Sequence, residues 1–283
     1  MSPPLSRSRC TIAEAAIRLS CLTSYSASAD RPGRGLVDVH CHILPELDDG
    51  ALSLADSVAM ARQAQADGIA VVCATPHIRD DHDVRISELP ARVASLQREL
   101  ERLDIGVRVA VGGEVAQRAA EGLTAQELRG VSLAGGGWVL LEPAPGPLGI
   151  ELDELVERLA ASRLRVIVAH PERHAGADLE ERLLELVARG ALIQWTAEFI
   201  AEGTGGDFVA GLARDGLVHL LGSDAHSSLA GRAVHLSAGL ARLAETLPAE
   251  RVAWIAERGP WAVLRGDTAV PPWSGRSAAR RRR

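Results

Sequence analysis

Lysine is absent from all 283 residues, so the 31 basic side chains other than histidine are all arginine. That excludes a Walker-type phosphate loop, whose lysine reaches the β/γ-phosphates. It also excludes lysine Schiff-base chemistry and any metal site bridged by a modified lysine. Cysteine is scarce: Cys10, Cys21, Cys41 and Cys73 show neither paired metal-ligand spacing nor the density of a disulfide scaffold. Such usage suits a reducing compartment, and a cytoplasmic location is expected. No run of about 18 uninterrupted apolar residues exists, so membrane insertion is not expected. Arg7 and Arg9 precede a mildly apolar stretch from Thr11 to Leu22, and Ala27-Ser28-Ala29 resembles a cleavage site. Glu14 and Arg18 interrupt what would be a signal-peptide core. Residues 1–34 therefore read as a loosely ordered extension, of the kind an upstream start codon would add.

Net charge is -6, which argues against a nucleic-acid surface despite the basic run Arg280–Arg283. Residues 271–283, rich in Pro, Ser, Gly and Arg, read as a basic disordered tail. The body, 35–270, is long enough and, in a chain 47% apolar, hydrophobic enough for one domain of α/β-barrel size. Strand-like runs occur at Leu36–Val39, Ile69–Ala74, Val107–Val111, Trp138–Leu141, Val166–Ala169, Ala191–Trp195 and Leu217–Leu221. Helical patterns lie between most of them, at Ser53–Ala66, Ser87–Leu103, Leu152–Ala161, Leu179–Ala188 and Phe208–Arg214. This alternation predicts parallel strands with crossover helices. Seven strand candidates predict a closed or nearly closed barrel; an open doubly wound sheet is the alternative.

Ionisable residues collect where these strands end. The segment VDVHCHILPELDDG puts His40 and His42 on one side of a strand, with Asp48 and Asp49 in the loop that follows. His77 follows the second run, Glu114 the third, His170 ends the fifth, and Asp224 and His226 follow the seventh. In parallel α/β architectures ligands bind at the carboxyl ends of strands. Five of the nine histidines sit there beside carboxylates. Imidazoles and carboxylates without thiolates suit Zn, Mn or Fe rather than a structural thiolate site. With Asp49 the set numbers eight, enough for two or three ions. Ions clustered about 3.5–4 Å apart typically serve hydrolysis, activating water and neutralising phosphoryl oxygens. His82, His174, His219 and His235 receive no role, and His219 reads as a packed mid-strand residue.

The order HCH…DDG…TPH…GGE…AHPER…SDAH resembles the PHP (polymerase and histidinol phosphatase) superfamily. More narrowly it is similar to the bacterial manganese-dependent protein-tyrosine phosphatases of capsule and exopolysaccharide loci, over about residues 36–265. The resemblance implies a distorted seven-stranded β/α barrel. Matched by motif, it implies metal ligands His40, His42, Asp49, His77, Glu114, His170, Asp224 and His226, with Glu114 bridging. It implies phosphate-binding arginines Arg173, in HPER, and, by a looser match, Arg232. It implies Mn²⁺, two or three ions, with Zn²⁺ or Fe as alternatives, and a phosphotyrosyl protein substrate such as a tyrosine autokinase. There are departures. His174 stands where the family often has an aromatic, and SSLAGRAVH replaces a segment that commonly carries Arg-Pro. Trp195-Thr196-Ala197-Glu198 replaces small polar residues, and Asp80, Asp81 and Asp83 crowd the loop after His77.

Rival readings remain. Cys73 to Arg79 fits the C-x5-R spacing of cysteine phosphatases, but Cys73 lies in an apolar run and the loop lacks phosphate-cradling glycines. A histidinol-phosphate or other small-molecule phosphatase would use the same metal core. A non-catalytic metal-binding regulator would keep the ligands without turnover. Amidohydrolases also begin with His-x-His, but the missing lysine and the SDAH ending fit them poorly. No general acid is identified.

Overall fold

The structure, a computed structural model, describes residues 35–174, 176–269 and 271–273. The expected extension, 1–34, lies outside the described residues. Nine strands are described: β1 (Leu36–Cys41), β2 (Ile69–Ala74), β3 (His77–Ile78), β4 (Arg108–Val111), β5 (Glu114–Ala116), β6 (Trp138–Glu142), β7 (Arg165–Val168), β8 (Leu192–Thr196) and β9 (Leu220–Gly222). Every strand pairing is parallel, in a sheet ordered β1-β2-β4 and another ordered β3-β5-β6-β7-β8-β9. A bridge from Cys41 to Ala225 brings the chain after β9 back against the end of β1. There His42 N donates to Ala225 O at 2.9 Å and Asp224 N to His40 O at 2.8 Å. The result is a parallel sheet curled round on itself.

Nine strands stand where seven were expected, and the reason is local. Thr75-Pro76 separates β2 from β3, and proline has no N–H to continue a ladder. Gly112-Gly113 separates β4 from β5, and a Cβ on Gly112 would lie 2.9 Å from Leu133 Cδ2 and 3.2 Å from Ala74 O.

Helices connect the strands, two of them with a narrow apolar face. The helix Leu54–Ala66 is capped by Ser53, whose side chain accepts from Asp56 N. Leu89, Val93, Leu96 and Leu100 bury one face of Leu89–Arg102, at the spacing an amphipathic helix requires. Leu179, Leu183 and Leu186 do the same for Leu179–Ala188. The expected helix at Phe208–Arg214 begins earlier, at Gly203, because the glycines there hide its start in the sequence. No described helix is long and apolar enough to cross a membrane.

The packed body runs past the expected tail boundary. Trp273 is buried, its Nε1 donating to Gly216 O at 3.2 Å, its ring stacked on His219 and edge-on to Trp254. The first three residues assigned to the tail thus belong to the fold; residues 274–283 lie outside the described set. Near it, at the amino ends of β7 and β8, an apolar cavity of about 770 Å³ is lined by Trp138, Leu164, Leu192 and His219.

Candidate metal centre

His40 ends its strand fully buried, and the chain holds it from behind. Its Nδ1 faces Gln194 Oε1 on β8 at 3.0 Å, which leaves Nε2 pointing inward as the free nitrogen. Asp38, two residues back, accepts from His40 N at 3.1 Å, Ser223 N at 2.9 Å and Ser223 Oγ at 2.6 Å. Burial pushes the Asp38 carboxyl up to about 6 against those hydrogen bonds. The glycine at 222 is required here, since a Cβ would stand 2.6 Å from His40 Cβ.

His42 emerges on the same side, as the period of two demands. Its Nδ1 contacts Asp48 Oδ2 at 2.8 Å, and that oxygen also accepts from His77 N at 2.9 Å. Asp48 Oδ1 accepts from Gly50 N at 3.0 Å, and a Cβ on Gly50 would come within 2.4 Å of His42 O. Asp48 therefore turns in behind the histidines while Asp49, half-exposed, turns to the rim. There Asp49 Oδ1 lies 3.3 Å from His77 Nε2 and 3.6 Å from His226 Nε2.

Glu114 opens β5 at the middle of the cluster. Its Oε1 is 2.6 Å from His170 Nε2; its Oε2 is 2.9 Å from His77 Nδ1 and 3.3 Å from both His40 Nε2 and His42 Nε2. His170 (φ 29°) and Asp224 (φ 50°) close the ring of side chains from left-handed backbone conformations that non-glycine residues rarely adopt. Asp224 Oδ1 sits 3.4 Å from His40 Nε2. The His226 ring stacks on His42 at 4.0 Å.

All eight expected ligands thus face one another. Their ligand atoms fall into three groups, each within 4.8 Å: His40, Glu114 and His170; His40, His42 and Asp224; and His42, Asp49, His77 and His226. A fourth group joins His77 and Glu114 to Glu142, which sequence reading missed. Glu142 ends β6, so the carboxyl-end rule that picked out the others would have found it.

The donor set fits cations. Glu114 Oε2, His77 Nδ1 and His170 Nδ1 are buried with no hydrogen-bond partner, although ring nitrogens surround the carboxylate oxygen within ion-pair distance. Buried polar atoms are seldom left so. Burial favours neutral His40, but Glu114 and Asp224 outweigh it and raise its pKa. Burial opposes charge on His42 too, yet Asp48 and Glu114 lift it to about 10. Burial would raise Glu114 and Asp224; instead His40 and its neighbours hold Glu114 well below the usual carboxylate range, and His40 and Arg173 lower Asp224. Burial and the charge on His42 push His226 down to about 4. The raised His40 and His42 imidazoles favour protons where a cation would need lone pairs, so binding of a cation there would release protons.

A cavity of about 400 Å³ opens over the cluster, lined by Asp49, His77, Arg79, Arg173, His226 and Arg232. Arg173 Nη2 and Arg232 Nη2 both donate to Asp224 Oδ2, the latter at 2.7 Å, and Arg232 Nε donates to Asp224 O at 2.9 Å. Arg232, the looser match in sequence, is therefore at the cavity. Arg79 stands there too, unforeseen. Its apparent partner in the C-x5-R spacing, Cys73, is fully buried in β2, and burial pushes its thiol far up. A thiolate nucleophile has no basis there. His174 is tucked behind His170, Nδ1 donating to Gly146 O at 2.9 Å. His82 stacks over His77, and His235 lies half-exposed beside Asp67.

A family model described as capsular polysaccharide synthesis, CpsB/CapC, matches residues 36–265. The tyrosine-protein phosphatase YwqE of Bacillus subtilis (strain 168) is 33% identical over 202 residues, covering 68% of this chain and 78% of that protein. Among solved structures, the crystal structures of YwqE from Bacillus subtilis and CpsB from Streptococcus pneumoniae, unique metal-dependent tyrosine phosphatases, include a chain with TM-score 0.71 and 27% identity. That match covers 83% of this chain and 96% of the other. A β-aspartyl dipeptidase from Fervidobacterium islandicum AW-1 shares the fold alone, at TM-score 0.51 and 20% identity over 81% of this chain and 74% of that one.

Proposed function

The chain belongs to the CpsB/CapC family of capsular polysaccharide synthesis, and from that premise we propose that it is a metal-dependent protein-tyrosine phosphatase. The observation that carries this reading is the convergence of imidazole nitrogens and carboxylate oxygens, three of them (Glu114 Oε2, His77 Nδ1 and His170 Nδ1) buried without a hydrogen bond among the described residues, beneath a cavity lined by three arginines. His40, His42, Asp49, His77, Glu114, His170, Asp224 and His226 would hold two or three ions, Mn²⁺ foremost, with Glu114 shared between them. Counting β2 with β3 and β4 with β5 as broken single strands, the scaffold is the distorted seven-stranded barrel of the PHP superfamily. We place the enzyme in the cytoplasm, acting on a tyrosine autokinase of polysaccharide synthesis.

Bound divalent cations supply activation of water and neutralisation of phosphoryl charge. The chain's own residues supply the rest. Gln194 and Asp48 set the tautomers of His40 and His42, keeping both Nε2 atoms directed inward. Asp224, ionised and gripped by Arg173 and Arg232, keeps one oxygen toward the histidines and the other toward the arginines. The guanidinium groups give the cavity the positive lining that a phosphate requires. A tyrosine leaving group, with pKa about 10, needs little protonation to depart.

Hydrolysis of a phosphotyrosyl peptide beside histidinol phosphate, with Mn²⁺ or with EDTA, tests the reading. Peptide hydrolysis that EDTA abolishes is the expected result. A metal-dependent preference for histidinol phosphate would keep the site and replace the substrate; activity indifferent to EDTA would overturn the proposal.

A further inference from the structure

Three arginines reach the cavity above the metal cluster, and they are not equally committed. Arg173 and Arg232 come from the β7 and β9 side, and both spend donors on Asp224. Arg79 comes from the β3 edge of that sheet, one residue beyond β3, and among the described residues no carboxylate holds it well. Its Nε lies 2.8 Å from Asp81 Oδ1, yet the N–H is not directed at that oxygen and is left buried without a hydrogen bond. Its Nη1 is 3.7 Å from Glu142, beyond hydrogen-bonding reach. Among the described residues only Nη2 has a close acceptor geometry, 3.2 Å from His82 Nε2. A guanidinium has five donors in a fixed fork. Here most of them are unspent, and the side chain, about one-third exposed, lines a cavity of about 400 Å³. Asp81 is a surface side chain, 66% exposed, so its hold on Arg79 is screened by water and easily exchanged.

We propose that Arg79 is a substrate-binding residue: its fork takes non-bridging oxygens of the substrate's phosphate from the β3 side, exchanging Asp81 for the phosphate as substrate enters. This inference rests on the phosphatase reading above. Arg173 and Arg232 then act partly through Asp224, and Arg79 supplies the donors that respond to substrate directly. Asp81 competes with the phosphate for the same guanidinium and so weakens binding in the wild-type protein.

The test compares Mn²⁺-loaded wild type with Arg79→Ala, Arg79→Lys and Asp81→Asn. For each, kcat and KM for a phosphotyrosyl peptide are measured with the inhibition constant of inorganic phosphate, the bound Mn²⁺ and the melting temperature. Loss of a hydrogen bond to a charged group predicts that Arg79→Ala raises both KM and the phosphate inhibition constant by about 10-fold, with bound Mn²⁺ and melting temperature unchanged. Arg79→Lys recovers part of the loss, and Asp81→Asn lowers both constants. Wild-type constants in Arg79→Ala would overturn the inference. So would equal losses in Arg79→Ala and Asp81→Asn with a lowered melting temperature, which would mark a pair that only braces its loop. Should wild type with Mn²⁺ not hydrolyse the peptide at all, the phosphatase reading fails separately. Calorimetric titration with inorganic phosphate still decides Arg79 in that case, because equal affinity in wild type and Arg79→Ala overturns its role.

Discussion

The Nε2 atoms of His40 and His42 lie 3.2 Å apart, and each is 3.3 Å from the same oxygen of Glu114. Two ring nitrogens this close call for a proton or a cation between them, and an anion beside them favours the charged arrangement. Glu114 is that anion, fully buried and held ionised by the imidazoles around it. Replacing it with glutamine keeps the shape and removes the charge. Glu114→Gln is expected to weaken metal affinity by more than the about 10–100-fold that loss of a mere supporting partner costs. Elemental analysis after dialysis, with circular dichroism to confirm the fold, checks this. Full metal content in Glu114→Gln would remove Glu114 from the ligand set.

Asp48 is the partner that orients His42, with one carboxylate oxygen serving both His42 Nδ1 and the backbone N of His77. Asp48→Asn leaves the inner ring of side chains intact but frees the His42 ring to turn or change tautomer. Metal affinity should fall by about 10–100-fold with little change in the circular dichroism spectrum. An affinity equal to wild type would mean that the packing of His42 alone fixes its ring.

The candidate site was legible because strand periodicity and the carboxyl-end rule point one way wherever a histidine or carboxylate follows an apolar run. Glu142 obeys the same rule and escaped it, whereas Gln194 lies in the middle of β8, outside the rule. Glutamine is not among the ligand types sought, so the grip of Gln194 on His40 shows only in three dimensions. Which of Asp48 and Asp49 turns inward is a matter of loop backbone: Glu46 adopts φ 51°, and Gly50 packs on His42 O. Sequence pattern cannot resolve that choice. Arg79 was seen only as the end of a cysteine-phosphatase spacing, because its approach to the cavity depends on the break after Ala74. Those breaks, at Pro76 and at Gly112-Gly113, also explain why seven apolar runs became nine strands.

Cys73→Ser separates the two phosphatase chemistries. Cys73 is inaccessible, and its thiol is pushed up by burial first and by Asp38 second, with Arg108 opposing weakly. A serine there leaves a hydroxyl in an apolar layer at a cost of about 1–3 kcal/mol. The expected outcome is a lower melting temperature with kcat preserved, and native protein that iodoacetamide does not inactivate. Loss of kcat with an unchanged melting temperature would revive the thiolate mechanism.

His219 gives the fold a pH limit that does not involve the metal cluster. It is fully buried between β8 and Trp273, and its Nδ1 accepts from Ile193 N at 3.0 Å, so the ring is neutral with its proton on Nε2. Burial pushes its pKa down to about 3 from an ordinary 6.5. The unfolded chain therefore binds a proton near pH 6.5 that the folded chain refuses until near pH 3. Stability from this residue is present above pH 6.5 and is lost progressively as pH falls from there towards 3. At pH 5, some one and a half pH units below the unfolded value, the loss is about 2 kcal/mol. His219→Gln retains an acceptor for Ile193 N but cannot titrate. Between pH 7 and pH 5 its unfolding free energy from urea titration should fall by about 2 kcal/mol less than that of wild type. Other groups, the candidate metal ligands included, are common to both proteins, so the difference isolates His219. Parallel curves for the two would mean that the ring is protonated, or reached by water, in the folded state.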